Sequence, residues 1–137
     1  MIMEKNQGFS LVELIIVIAI MAILIGVLAP QYLKYVEKAK VSTDDDVADS
    51  LLTAGYLLVS DEEYVYGINA GDQIIFSSTG ITTNPNNSNI ENGLDEYVSA
   101  WRSKKVKSNT YRAGQYVIEF KSTAASQTFT VEGSWQP

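Results

Sequence analysis

Gly8-Phe9-Ser10-Leu11-Val12-Glu13 is followed by residues 14–29, a run of sixteen without a single charged side chain. An apolar segment of about 20 residues is long enough to cross a bilayer as a helix. A charged side chain at the bilayer centre costs roughly 2.5–3.5 kcal/mol on insertion scales, so a carboxylate in such a segment usually has a function. No base in the run neutralises Glu13. The sequence therefore predicts that Glu13 finds its partner outside its own apolar segment.

Composition limits the function classes. The 137 residues correspond to about one domain. Cysteine and histidine are both absent, which excludes disulfides, thiol nucleophiles and the commonest general base and metal ligand. We therefore expect neither an enzyme nor a bound cofactor. The formal net charge of −6 argues against a nucleic-acid-binding domain.

Three interpretations fit the N-terminal segment. A secretory signal would be cut after small residues, and Val27-Leu28-Ala29 loosely imitates such a site, but Pro30 follows directly and Glu13 interrupts the run. A plain membrane anchor fits the length and leaves Glu13 unexplained. The third interpretation is a short leader cut after Gly8, which leaves Phe9 with a new amino group four residues before Glu13.

This third pattern resembles the leader and N-terminal helix of type IV pilins and the related pseudopilins. In that family a prepilin peptidase cleaves after the glycine and methylates the new N-terminal residue, which the resemblance places at Gly8 and Phe9. The resemblance covers roughly the first 40 residues. It is carried by Gly8, Phe9, Ser10, Leu11, Val12, Glu13, Leu14, Pro30, Gln31, Tyr32 and Tyr35.

The resemblance agrees with the electrostatics of the segment. A carboxylate and an ammonium attract more strongly in a low-dielectric medium than in water, although desolvation offsets part of the gain. If Glu13 of an incoming subunit meets the Phe9 amine of an assembled one, both charges in the membrane are neutralised together. We therefore expect Glu13 and Phe9 to act in assembly.

The helix is expected to continue well beyond the apolar run. Pro30 removes one backbone donor and crowds the preceding turn, so a bend is predicted there, with Gly26 one turn earlier softening the same region. The alternative is that the helix ends at Pro30. Helical spacing of apolar residues predicts continuation to near Val59. The residues at this spacing are Leu33, Val36, Thr43, Val47, Leu51, Ala54 and Leu58.

The remaining chain predicts a small antiparallel sheet. Residues 72–76 form a candidate strand, and 82–89 a polar loop. Asn92 is a candidate N-cap for a helix over 94–102. Alternation over 115–121 and 128–132 predicts a hairpin, with 122–126 as its connection and Tyr116, Ile118, Phe120, Phe129 and Val131 facing the long helix. The predicted fold is therefore α+β, a long N-terminal helix packed on an antiparallel sheet, which the pilin resemblance also implies. With no disulfide available, the hairpin and Trp135 must hold the C-terminus by packing.

Charge is divided unevenly along the chain. Residues 44–96 contain eleven acids and no lysine or arginine, whereas residues 102–121 contain six bases and one acid. Stacked copies could pair these regions, or both could be ordinary solvated surface. The candidate inter-subunit basic patch consists of Arg102, Lys104, Lys105 and Lys107. Four bases beside an acidic domain would bind nucleic acid weakly, so nucleic acid is not an expected partner.

The resemblance implies a division into a leader at 1–8, a membrane and assembly helix at 9–30 and an extracytoplasmic domain at 31–137. The expected protein is a type IV pilus subunit, held in the cytoplasmic membrane as a precursor and then built into a homopolymeric surface fibre. The expected partners are prepilin peptidase, the pilus assembly machinery and further copies of the chain. A pseudopilin of a type II secretion or DNA-uptake machine is the main alternative, and a membrane-anchored binding module is the second. The tail, 122–137, carries one carboxylate side chain, Glu132, which favours a pilin over a secretion pseudopilin with an acid-rich calcium loop.

Overall fold

A computed structural model describes residues 8–122 and 128–137. It has an α+β fold with a long N-terminal helix and a four-stranded antiparallel sheet, as predicted. The elements in chain order are α1 Leu11–Ser60, α2 Glu62–Val65, β1 Gln73–Ser77, β2 Gly80–Asn84, α3 Ser88–Tyr97, a 3₁₀ turn Trp101–Ser103, β3 Gln115–Ser122 and β4 Phe129–Gln136.

The chain divides into two compact units, one ending at Val36 and the other comprising Glu37–Pro137. In the first unit, every residue from 8 to 35 is exposed, including all the apolar side chains of the run. Among the described residues, α1 is the one helix long and apolar enough to cross a membrane, judged by length and composition. The β-branched residues of this run are mediocre helix formers in water, whereas a lone segment in lipid must satisfy its own backbone and would be helical.

Helix α1 runs through Pro30 without ending, which confirms the predicted continuation and rejects the alternative of a helix end at Pro30. It closes at Ser60, one residue beyond the predicted limit. A proline at this position leaves one helical hydrogen bond unmade. The bend expected at Pro30 and Gly26 stays a prediction.

In the second unit the strand order is β2-β1-β3-β4, with every neighbouring pair antiparallel. Strand β1 occupies the predicted position almost unchanged, and the predicted hairpin is present as β3 and β4. Most of the predicted hairpin connection, 123–126, lies outside the described residues. The sheet therefore joins the middle of the chain to its C-terminal hairpin through the β1–β3 pairing.

The C-terminal half of α1 packs on this sheet at a close approach around Gly55. A Cβ on Gly55 would lie 2.9 Å from Cγ1 of Val131 and 3.5 Å from Cγ2 of Ile118. Leu51 and Leu58, one turn to either side, are fully buried. Glycine lets the helix backbone approach the hairpin closely enough for these neighbours to exclude water.

The buried faces largely match the predicted ones. Tyr116, Ile118, Phe120 and Val131 are buried and Phe129 is half-buried. On α1, however, Leu33 and Thr43 are exposed. The buried positions of α1 are Asp44, Ala48, Leu51, Ala54, Gly55 and Leu58.

Two local predictions were wrong. The N-cap of α3 is Asn87, five residues before the predicted Asn92, and its side chain accepts hydrogen bonds from the backbone N–H groups of Asn89 and Ile90. This helix ends at Tyr97, so Arg102 belongs to the separate 3₁₀ turn. The predicted polar loop at 82–89 begins inside β2, which pairs with β1 in the register Ile75 with Thr82.

Aromatic packing holds the C-terminus, as expected. The Trp135 ring stacks on Tyr111 with a centroid separation of 3.8 Å and an interplanar angle of 9°. It also meets the edge of Tyr116 at 5.2 Å and lies 6.0 Å from Phe76. Ring pairs at these separations contribute stability beyond simple area burial.

Candidate functional site: the start of α1 and the lysine segment

The start of α1 is closed by two reciprocal hydrogen bonds between Ser10 and Glu13. The backbone N–H of Ser10 donates to Oε2 of Glu13 at 2.9 Å, and the backbone N–H of Glu13 donates to Oγ of Ser10 at 3.2 Å. The N–H of Leu14 then donates to the carbonyl of Ser10 at 3.2 Å. A Ser-x-x-Glu pair with these contacts is a capping box, which satisfies two N–H groups that would otherwise lack partners.

The capping box refines the expectation that Glu13 has no partner in its own segment. Its carboxylate accepts one hydrogen bond from a neutral N–H, but its negative charge meets no cation within the described residues. The spacing of Ser10 and Glu13 could have revealed the capping box from the sequence alone. The capping bond also orients the carboxylate towards the N-terminal end of the helix, where Phe9 lies.

Gly8 and Phe9 precede the helix and are exposed, with 94% of the Phe9 surface accessible. A Cβ built on Gly8 meets no described atom within 4 Å. The peptide bond between these two residues is therefore not covered by any described part of the chain. Pro30 and Gly26, the predicted bend, lie elsewhere along α1, and Gly26 likewise has open space around it.

A second site joins α1 to the segment after the 3₁₀ turn. Asp44 is 1% exposed, and its two carboxylate oxygens accept hydrogen bonds from the backbone N–H groups of Lys107 at 2.9 Å and Ser108 at 2.8 Å. Two helical turns earlier, Glu37 accepts hydrogen bonds from both the N–H and the hydroxyl of Thr110, at 2.9 and 3.0 Å. Two acids of one helix therefore fix the backbone of 107–110. We name this set of contacts the carboxylate clamp.

The four predicted basic residues do not share one environment. Arg102 forms an ion pair with Asp95, lies 3.9 Å from Glu91 and places its guanidinium 4.4 Å from the centroid of the Trp101 ring. Its hydrogen bond, followed by that of the Trp101 indole, lowers the pKa of Asp95. Arg102 is thus paired within the chain.

The three lysines lie apart from it. Lys104, Lys105 and Lys107 line a cavity of about 250 Å³ beside Asp44, and Lys105 and Lys107 are exposed. None of these lysines takes part in an ion pair within residues 8–122 and 128–137. We name these three residues the lysine segment.

The acids of 44–96 are likewise not all free surface charge. Asp72 is buried and accepts hydrogen bonds from the Asn69 N–H and the Asn87 side chain. Asp61 accepts from the Tyr97 hydroxyl. In the part of the chain that the structure describes, no group of three or more His, Cys, Asp or Glu residues could hold a metal ion.

Comparison with known proteins agrees with the N-terminal geometry. Residues 3–29 match the family described as "Prokaryotic N-terminal methylation motif". The chain is 44% identical over 52 residues to a protein named "Fimbrial protein" from Moraxella nonliquefaciens. That alignment covers 38% of this chain and 34% of the relative, so the chain spans about a third of that relative's length. No solved structure matches the chain.

These matches confirm the resemblance that the motif indicated. The chain is type IV pilin-like, with an N-terminal methylation motif and an apolar N-terminal helix. The structural family that it resembles is a pilin or fimbrial one rather than a family of enzymes.

Proposed function

We propose that this chain is a structural subunit of a type IV pilus. A prepilin peptidase cleaves it after Gly8, Phe9 is methylated on its new amino group, and the processed chain polymerises into a helical surface fibre. The precursor resides in the cytoplasmic membrane and the fibre lies outside the cell. The leader is 1–8, the membrane and assembly helix is 9–30, and 31–137 form the extracytoplasmic domain.

The observation that carries this proposal is the placement of Glu13. Its carboxylate is exposed on an apolar helix, four residues after Phe9, in the segment that matches the methylation-motif family. Cleavage after Gly8 would create an ammonium at Phe9, and a second copy would bring that ammonium to Glu13. Pairing removes two uncompensated charges from the membrane in one contact.

The exposure of the first unit gives independent support. All side chains of residues 11–35 remain open to their surroundings, and most are large and apolar. An apolar surface of this extent requires lipid or other helices as its surroundings. Lipid before assembly and neighbouring subunits after assembly meet that requirement in turn.

Cleavage is tested by Gly8→Leu with Gly26→Leu as the matched control. A Cβ built at either glycine has open space within 4 Å, so both positions have room for a side chain. We expect mass spectrometry to find a chain starting at Phe9 for wild type and for Gly26→Leu, and the full-length chain for Gly8→Leu. A Gly8→Leu chain that still starts at Phe9 would refute cleavage by a glycine-specific peptidase.

Assembly is tested by recovering surface fibres and analysing their subunits by electron microscopy and mass spectrometry. We expect fibres whose principal component is this chain, beginning at Phe9 with one added methyl group. Finding the native protein only as an unpolymerised chain with residues 1–8 attached would overturn the proposal.

A further inference from the structure

The exposed side of α1 carries a stripe of charge in the second unit. Lys38, Asp45, Asp49 and Tyr56 are separated by seven, four and seven residues. At about 100° of rotation per residue, these positions fall within an arc of about 40° on the helix surface. We name these four residues the charged stripe of α1.

Three residues of the stripe face away from the core, and the fourth, Asp45, accepts a hydrogen bond from the Tyr111 hydroxyl. Lys38, Asp49 and Tyr56 are exposed and Asp45 is half-buried, whereas the buried residues of α1 lie on another side. No ion pair within residues 8–122 and 128–137 involves Lys38, Asp45 or Asp49. Lys38 cannot reach Asp49 in its own helix, because eleven residues separate them by about 16 Å along the axis.

Such a stripe is complementary to itself after a half-turn about an axis parallel to α1 combined with a shift along that axis. If a parallel second copy slides along α1 by about 10–16 Å, its Lys38 comes level with Asp45 or Asp49 of the first copy. The charges then alternate across the contact with opposite signs facing each other. Because the shift along the axis prevents this operation from closing into a dimer, part of the stripe stays free at each end and the contact extends into an open fibre.

We infer that the charged stripe of α1 is an inter-subunit contact, in which Lys38 of one copy pairs with Asp45 and Asp49 of a parallel neighbour. This inference rests on the proposed fibre. In the proposed Phe9–Glu13 contact the positive group also precedes the negative one along the helix. The two contacts therefore have the same polarity along the chain, and the stripe sets the axial offset between the second units of neighbouring subunits.

The offset is tested directly by zero-length cross-linking of purified fibres. A carbodiimide condenses a lysine amine with a carboxylate, with loss of water, only where the two groups touch. A Lys38–Asp49 cross-link must join two chains, since within one chain these residues are too far apart. We expect mass spectrometry to find this linked peptide or its Lys38–Asp45 counterpart in fibres and to find neither link in detergent-dispersed subunits. Intact fibres that give neither linked peptide would overturn the inference.

Charge reversal provides the second test. Lys38→Glu and Asp49→Lys each place like charges in contact, and we expect each to speed fibre dissociation at low salt by about three- to ten-fold. The double variant restores opposite charges and should recover most of the wild-type rate. Lys40→Glu with Asp46→Lys is the matched control, because these exposed residues lie on the same helix outside the stripe.

The outcomes separate this inference from the proposed function. If wild-type chains never form fibres, the proposed function fails. If wild-type fibres form and the single variants dissociate like wild type, or the double variant is weaker than either single one, the pairing across the stripe is wrong while the fibre stands.

Discussion

Glu13 has a capping role in the structure and a proposed role in assembly, and a single substitution can separate the two. Its carboxylate closes the first turn of α1 through Ser10, and its charge is available to a second chain. Glutamine also serves at the fourth position of a capping box, so Glu13→Gln keeps the first role and removes the second. Ser10→Ala weakens the cap and keeps the charge.

We expect Glu13→Ala and Glu13→Gln to be processed and inserted normally while fibre yield falls at least about ten-fold, because neutralising a charge in the membrane is worth roughly 2.5–3.5 kcal/mol. Ser10→Ala should cost the helix end only about 1 kcal/mol and leave fibres present. Quantitative immunoblotting of sheared fibres and of membranes gives both yields. Normal fibre yield from Glu13→Gln would show that the charge has no part in assembly.

Asp44 is a single residue on which the stability of the second unit depends. Asp44→Ala leaves the N–H groups of Lys107 and Ser108 without their acceptors, and Ser108 is fully buried. We expect a loss of about 2–4 kcal/mol in the free energy of unfolding, since hydrogen bonds to charged groups are the costly ones to break. Urea unfolding of the full chain in detergent, followed by tryptophan fluorescence, measures this loss. Asp46→Ala, at an exposed neighbouring position, should stay within about 0.5 kcal/mol of wild type.

At the scale of elements, Asp61 and Tyr97 connect two helices. Asp61 is the N-cap of α2, and Tyr97 at the end of α3 donates its hydroxyl hydrogen to the Asp61 carboxylate. This bond, followed by the N–H of Glu63, lowers the pKa of Asp61. The same bond, followed by desolvation, raises the pKa of Tyr97 to about 12.

The two shifts predict opposite pH limits. Stability from the lowered pKa of Asp61 is present above its unfolded value and is lost as pH falls through the folded one. Stability from the raised pKa of Tyr97 is present below its unfolded value of 10.0 and is lost as pH rises towards about 12.

Tyr97→Phe should therefore be less stable near neutral pH, and its free energy of unfolding should fall less steeply at both pH extremes. Chemical unfolding over a pH series measures this, with Tyr66→Phe, an 89% exposed tyrosine, as control. Parallel curves for Tyr97→Phe and wild type would exclude the linkage.

Sequence periodicity predicted the elements whose apolar residues recur at a regular spacing. The helical spacing of Leu51, Ala54 and Leu58 placed α1, and the alternation around Ile118 placed β3. It missed β2, whose GITTN sequence buries Thr83 and lacks apolar alternation. Asn87 and Asn92 are both suitable N-cap residues. Asn87 differs because its side chain donates hydrogen bonds to Gly67 and Asp72, which are distant in the sequence. Asp44 is likewise predicted to be a surface residue from the sequence, because the backbone N–H that it binds lies 63 residues later in the chain.

At the scale of the whole molecule, fewer charged side chains are free to attract another molecule than the counts of acids and bases in the sequence suggest. Arg102 is paired with Asp95, and Asp44 and Asp72 are buried against hydrogen-bond donors. Of the four residues of the predicted basic patch, the three that remain available to another molecule are those of the lysine segment. The proposed contact between this basic region and the acids of a neighbouring subunit therefore depends on three side chains rather than four.

Lys104→Glu with Lys105→Glu should consequently give fibres that dissociate at lower salt or lower temperature, since each lost surface pair is worth about 0.2–1 kcal/mol and every subunit loses it. Arg102→Gln is an informative comparison, because it breaks a pair inside the chain and should lower the stability of the subunit before that of the fibre. Thermal dissociation of purified fibres, followed by sedimentation, measures the change. Unchanged fibres from the lysine variants would remove this contact from the proposal.

The carboxylate clamp also determines how the lysine segment can move. Asp44 binds the backbone N–H groups of Lys107 and Ser108. The lysine segment is therefore attached to α1 at this point. Any rotation of that part of α1 about its axis sweeps the lysines through the same angle. The direction of the lysine segment therefore indicates how far α1 is rotated about its own axis. A spin label at position 105, an exposed residue, would measure that rotation without disturbing the core.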